Sequence, residues 1–329
     1  MPEMENENIE GNYGEAVAEN WDAMQDQASA PLTDLDAYSM AEVKARGQWG
    51  TAMRRFVRSP RAMFGVVVFF GVMVTSKIYT LMHPTQYYQL GTDLLKAPSS
   101  AHLFGTTVAG TDVFAMVMQG VLQDVEVAVV VALIAVVIGV LIGALAGFYG
   151  GWVDSLLMRF TDFVLVIPVL VILILLANKI SGSSSNWFGL ALLIGMLSWT
   201  YLARLVRANF LQLRELEFVE ASRALGASDW RIVSRHLLPN AIGPIVVNTT
   251  LIVAGAIGLE ATLSFIGLGI HPPAVSLGLM IQQGEALADP FWWLFVPPCA
   301  FLLILILSVF FIGDGLSNAL DPRKNRVRS

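Results

Sequence analysis

A nucleotide-binding loop needs a glycine-rich turn ending in Gly-Lys, and none of Lys44, Lys77, Lys96, Lys179 or Lys324 follows a glycine. The 329 residues also hold no His-Glu-x-x-His zinc pattern, no Gly-x-Ser-x-Gly elbow and no GxGxxG turn. Cys299 is the single cysteine, sits in an apolar run without a nearby histidine, and reads as a packing residue. The unusual chemistry is of another kind: carboxylates inside apolar runs. A charge at the centre of a bilayer costs roughly 2.5–3.5 kcal/mol on insertion scales, so each needs a partner. Asp162 lies one helical turn after Arg159, and an interfacial pair between them is its simplest reading, with substrate contact as the other. Glu260 has no charge beside it and either hydrogen-bonds across a bundle interior or lines a pathway. Asp124 and Glu126 read as starting a span at its outer boundary, and Lys77 as snorkelling outward. Trp187, Trp199, Trp292 and Trp293 fall near span ends and read as interfacial belt residues.

The elements that must position these residues are membrane helices. Hydrophobic residues make up 55% of the chain and charged ones only 14%, with a mean hydropathy of +0.64, whereas soluble domains carry about 25% charged residues. Six runs are long and apolar enough to span: 62–82, 125–148, 160–178, 187–206, 240–266 and 291–314. Gly243, Pro244, Gly255 and Gly258 interrupt the fifth, and Pro297 and Pro298 sit near the start of the sixth. With both termini in the cytoplasm, seventeen of the 20 Lys and Arg residues fall inside, as the positive-inside rule requires. The expectation is an all-α polytopic membrane protein. Its parts are a disordered acidic tail over 1–45, a basic juxtamembrane segment over 46–61, a membrane domain over 62–320 and a basic C-terminus over 321–329. The tail holds eleven acids against Lys44 and has no apolar run, so it is neither signal nor anchor; a short helix around Tyr13–Met24 is the alternative to disorder. Gly139, Gly143 and Gly147 place a small residue every four positions in the second span, a pattern that lets another helix approach closely; lining a channel is the other reading.

The segment joining the fourth and fifth spans, about 209–239, is too long for a mere connector. Good helix formers run through Glu220, Ala221 and Ser222 to Leu225. Gly226 can stop that helix in the left-handed region, and Ser228 or Asp229 can cap a second one whose apolar face is Trp230, Ile232 and Val233. Pro239 then marks the start of the fifth span. A short amphipathic helix held beneath the membrane has the shape to enter a groove on a soluble partner.

Glu220-Ala221-Ser222, with Gly226 and Leu238-Pro239 following, resembles the "EAA" loop of ABC import permeases. FGTTVAGTDVF at 104–114 and GFYGGWVDSLLMRFTDFVLVIP at 147–168 resemble two further segments of that family. LEATLSFIGLGIHPP at 259–273 and GDGLSNALDPR at 313–323 match its C-terminal signatures. The likeness covers about residues 50–325 and is to the second permease of dipeptide, oligopeptide and nickel importers. Departures are Ser222 for alanine, His236 for a branched residue, Thr107 for an acid, Thr111 for arginine, and Leu122 and Asp124 where Arg and Ser are usual.

The resemblance implies a type I ABC importer permease in a bacterial or archaeal plasma membrane. It implies a second permease subunit, two ATPase subunits that bind ATP and Mg, and an extracytoplasmic solute-binding protein as partners, surrounded by lipid and without nucleic acid. No cofactor and no metal are expected in this chain. Glu220, Ala221, Ser222, Gly226, Ala227, Trp230, Leu238 and Pro239 would form the ATPase-coupling loop. The same machine carrying oligosaccharide or nickel chelates instead of peptides stays open, and an ion-driven secondary transporter is the distant alternative. That alternative calls for paired half-repeats with broken helices, which the sequence does not show.

Overall fold

The computed structural model describes residues 48–180 and 187–320. The acidic tail, the Tyr13–Met24 helix and the basic end 321–329 lie outside the described residues. The helices are α1 (Gln48–Arg58), α2 (Pro60–Met82), α3 (Val113–Tyr149), α4 (Gly151–Val166), α5 (Val169–Ile180) and α6 (Trp187–Ser198). They continue with α7 (Thr200–Leu213), α8 (Glu217–Ala224), α9 (Asp229–Ile232), α10 (Leu238–Phe265), α11 (Leu277–Glu285) and α12 (Val296–Leu320). Four continuous helices among the described residues are long and apolar enough to cross a membrane, and there are up to six spans if each of two bent pairs, α4 with α5 and α6 with α7, makes one.

α3 is the central element. It is apolar on all sides, as a helix surrounded by others must be, and packs against α2, α6, α7 and α10. Its contacts with α7 are the most extensive in the bundle. A Cβ at Gly139 would lie 3.0 Å from the Trp199 carbonyl oxygen, one at Gly143 would collide with the Ala203 carbonyl, and one at Gly147 would lie 2.6 Å from Phe210 Cβ. Three glycines one helical turn apart thus let two backbones touch, which is the main source of helix association where lipid removes the hydrophobic drive. The outward face of α2 (Phe64, Val67, Phe70, Val74 among others) stays exposed and is suited to lipid.

Several spans differ from the lengths read off hydropathy. α3 starts at Val113, twelve residues before the apolar run at 125. Its 37 residues make a rod of about 55 Å, longer than the hydrocarbon core of about 30 Å. The third span is broken by 74°. Pro168 has no N–H to give and pushes Ile167 to φ −81°, ψ 124°, out of the helical region. The fourth bends by 41° at Trp199, where Ser198 Oγ donates to the Ile194 carbonyl (2.8 Å) and the Trp199 indole N–H donates to Met196 (2.9 Å). Both draw carbonyls away from the helical ladder. Trp199 is accordingly buried and stacked on Phe160, not an interfacial belt residue. Trp293 is likewise buried, its indole N–H reaching the Thr106 carbonyl, while Trp292 is exposed.

On the outer side, residues 83–112 form a cap of turns over the start of α3. Asp112 caps that helix by accepting from Ala115 N (2.9 Å) and also meets His102 Nδ1 at 2.8 Å. Lys96 beside Asp93 (2.7 Å) holds the Asp93 carboxyl below its usual range.

The glycine contacts carry a direct test. Gly143→Val should destabilise the bundle by about 1–3 kcal/mol through overpacking, lowering the thermal midpoint in detergent. Gly255→Ala, whose Cβ would meet nothing within 4 Å, should leave it unchanged or raise it slightly.

Candidate coupling site

The loop between α7 and α10 is a short helix on a buried foot. α8 begins after Leu216, in extended conformation, and carries Glu217 and Glu220 in its first turn, where carboxylates complement the helix dipole. It ends in a two-bond glycine cap: Gly226 N donates to the Arg223 carbonyl (2.9 Å) and Ala227 N to the Ser222 carbonyl (3.0 Å), with Gly226 at φ +79°. Ser228 then turns the chain into α9 without a side-chain cap bond. α9 does not stop before the fifth span. It runs through a π-helical turn, Val233–Leu237, directly into α10, so that Asp229–Phe265 is one 37-residue helix. Pro239 lies inside its course rather than at its start. The ring of Pro239 would crowd the Arg235 carbonyl in a regular helix, and the wider π turn, closed by Leu238 N to the Val233 carbonyl, makes room for it.

The foot is apolar. Val219 from α8, Ile232 from α9 and Leu237 from the π turn are all fully buried, and they pack with Leu202, Val206 and Phe210 of α7 and with Phe148 at the end of α3. The tip is the reverse: Leu225 is 89% and Trp230 78% exposed, beside exposed Glu220, Ala221 and Gly226. Ser222, Ala227 and Leu238 are half-buried and Pro239 is exposed. The Ser222 hydroxyl bonds back to the Phe218 carbonyl at 2.7 Å.

Two arginines that sequence reasoning did not single out tie the loop to α3. Arg214 Nη1 donates to the Gly147 (3.2 Å) and Phe148 (3.4 Å) carbonyls, while its Nε donates to Glu215 (2.8 Å). A cation on the last carbonyls of a helix satisfies groups the ladder leaves open and faces the negative end of the dipole. Arg223 lies over the Phe148 ring, 5.8 Å from its centroid. A basic residue just beyond a helix end is the only sequence signal for Arg214. Its target, nearly seventy positions away, has none.

Asp162 and Asp124 are placed differently from their sequence readings, whereas Glu260 lies hydrogen-bonded in the bundle interior, one of the two placements read for it. Asp162 pairs with Arg204 on α7 at 2.5 Å, not with Arg159 one turn earlier on its own helix. Both partners are about half exposed. Asp154, also on α4, grips Arg207 through two bonds of 2.5 and 2.6 Å, so two ion pairs bind α4 to α7. Glu260 is fully buried and accepts from Ser264 Oγ at 2.6 Å. It faces Asp124, which is also fully buried and does not sit in the solvated boundary. Leu277 and Glu260, laid against the extended start of α3, cover Asp124; Glu126, two residues on, is exposed. Among the described residues no group of three or more His, Cys, Asp or Glu side chains is arranged to hold a metal ion.

A bundle of up to six spans with an apolar-tipped projection between α7 and α10 defines a helical, multi-pass membrane protein. Residues 139–326 match the family described as "Binding-protein-dependent transport system inner membrane component", and the chain belongs to that family. The oligopeptide transport system permease protein OppC of Bacillus subtilis (strain 168) is 34% identical over 303 residues, covering 91% of this chain and 97% of that protein. OppC of Mycobacterium tuberculosis (strain H37Rv) is 35% identical over 277 residues, 84% of this chain and 95% of its own. A Brucella suis biovar 1 protein, provisionally named a peptide permease, is 40% identical over 282 residues, 84% of this chain and 92% of its own. The solved MetNI methionine ABC transporter in an inward facing conformation shares the fold, with TM-score 0.51 at 22% identity over 63% of this chain and 97% of that one. The chain is a multi-pass permease subunit of an ABC importer with type I architecture, and it is not the catalytic component of that machine.

The loop geometry makes Gly226 testable apart from transport. Gly226→Ala forces a side chain into the left-handed region at about 1–2 kcal/mol, although no atom obstructs the Cβ itself. Hydrogen exchange over 219–227 should quicken while the spans stay protected.

Proposed function

We propose that this chain forms, with a second permease subunit, the membrane pathway of an importer for di- or oligopeptides. In this reading an extracytoplasmic solute-binding protein delivers the cargo, and two ATPase subunits, which bind ATP and Mg, drive the cycle. The membrane domain extends over 62–320, flanked by the basic segment 46–61. The loop 209–239 is the mechanical link: Glu220, Ala221, Ser222, Gly226, Ala227 and Trp230 form the element that enters the ATPase, and Leu238 and Pro239 carry its motion into the fifth span.

The observation that carries this reading is the contrast between tip and foot. An apolar tip exposed to water is unfavourable unless a partner covers it, and an isolated Leu-Trp tip on a helix is the form of a groove-binding anchor. The buried foot joins that anchor to α3, α7 and α10 without a flexible link, so a push on the tip becomes a displacement of spans. The peptide cargo is supported by the names of relatives that match nearly their whole length. The same machine carrying oligosaccharides or nickel chelates differs only in what the binding protein delivers.

Trp230→Ala should weaken association with the ATPase by about 2 kcal/mol, roughly thirty-fold. It would be read by co-purification from native membranes in mild detergent. Glu220→Lys should leave the complex inserted but uncouple ATP hydrolysis from uptake. Unchanged ATPase recovery and unchanged uptake in both variants would remove the coupling assignment. Recovery of a binding protein in the same preparation, with its trapped ligand identified, decides the cargo.

A further inference from the structure

The bundle contains a second unusual place, far from the coupling loop. Asp124 of α3 and Glu260 of α10 are both 0% exposed, and their carboxyl groups lie within hydrogen-bonding reach of each other. Each has one oxygen provided for. Glu260 Oε1 accepts from Ser264 Oγ at 2.6 Å, and the Ser276 side chain lies beside this carboxyl. Asp124 Oδ2 accepts from Leu277 N at 3.4 Å. The remaining oxygens, Asp124 Oδ1 and Glu260 Oε2, have no donor.

Two adjacent buried carboxylates cannot both stay ionised without a neutralising charge. Among the described residues no side-chain cation supplies it. The other titratable groups on α2, α3, α11 and α12 are Arg61, Lys77 and Tyr79 on α2, Glu126 and Tyr149 on α3, Glu285 on α11, and Cys299 and Asp314 on α12, with His271 in the turn before α11. None of them acts on the pair. The backbones approach closely beside the pair. A Cβ at Gly278 would come within 2.5 Å of the Ala261 carbonyl oxygen, and one at Gly120 within 3.2 Å of Leu277 N.

We propose that Asp124 and Glu260 hold one proton between them, and that this acid–carboxylate hydrogen bond is a latch joining three segments at the outer side of the bundle. α3 contributes Asp124, and α10 contributes Glu260 and Ser264. The start of α11 contributes Ser276, which also caps that helix by accepting from Leu279 N, and the Leu277 N–H. The shared proton gives a donor to the two oxygens that lack one and leaves a single negative charge, which the Ser264 and Ser276 hydroxyls and the Leu277 N–H stabilise. α11 is thereby pinned against α3 and α10, and the outer seam opens only if the latch is broken.

The test is infrared spectroscopy of the full-length chain in lipid nanodiscs at neutral pH, together with thiol labelling. The folded wild type should show the carbonyl stretch of a buried protonated carboxyl, lost or displaced in both Asp124→Asn and Glu260→Gln. The side-chain amide of each variant can donate the hydrogen bond itself, so both should remain folded with the seam closed. In a Cys299→Ser background, aqueous labelling of Met280→Cys should stay low with Asp124→Asn and rise with Asp124→Leu, which leaves Glu260 without its partner. A wild-type spectrum without the band, with melting raised by sodium or calcium instead, would overturn the proposal in favour of a bound cation. A band unchanged in both amide variants would overturn it by placing the proton elsewhere.

Discussion

The cytoplasmic half of this protein hangs on the seam where α3 and α7 approach backbone to backbone along Gly139, Gly143 and Gly147. In lipid, apolar side chains gain little by leaving their solvent for one another, so helices associate through close van der Waals contact and interhelical hydrogen bonds. Only glycine on the α3 side allows that contact here. Once α7 is fixed, α4 follows through the Asp154–Arg207 and Asp162–Arg204 pairs. The loop that leaves α7 is then delivered to the underside of α3, where Arg214 and Arg223 meet the Phe148 end of the rod.

A rod of 37 residues that begins in the outer cap and ends at the coupling foot gives the molecule a rigid element longer than the membrane is thick. Its inner end is held by an apolar cluster and two arginines, its outer end by the Asp112 cap and the Asp124–Glu260 contact. In the coupling proposed above, displacement of this one rigid helix among its neighbours would link the two faces without a chain of small side-chain shifts.

Where regular helices give way, the cause is local and identifiable. Pro168 breaks the third span, Ser198 and Trp199 bend the fourth, and Pro239 coincides with the π turn that joins the coupling loop to the fifth. Irregular backbone of this kind is tolerated at membrane depth when packed neighbours surround it. Two of these breaks flank segments that must move if the coupling loop is displaced.

Composition and hydropathy alone determined the class of fold and the apolar runs that make its spans, because lipid imposes a length on any chain that crosses it. Local spacing also determined the two-helix form of the loop and its Gly226 cap, since a left-handed turn after a helix is a short-range property of glycine. The small-residue stripe was legible as a contact face, but not which helix would meet it. Tertiary structure decided every partner far along the chain. Asp162 takes Arg204 over the nearer Arg159 because α4 lies along α7, and Arg214 finds the Phe148 carbonyl because α3 ends beside it. Asp124 reads as a solvated boundary residue in any hydropathy window. It is buried because the chain returns, more than a hundred residues later, to lay Leu277 and Glu260 against it. Hydropathy records how much apolar length a segment has, and nothing in it encodes which distant segment will cover a given polar atom.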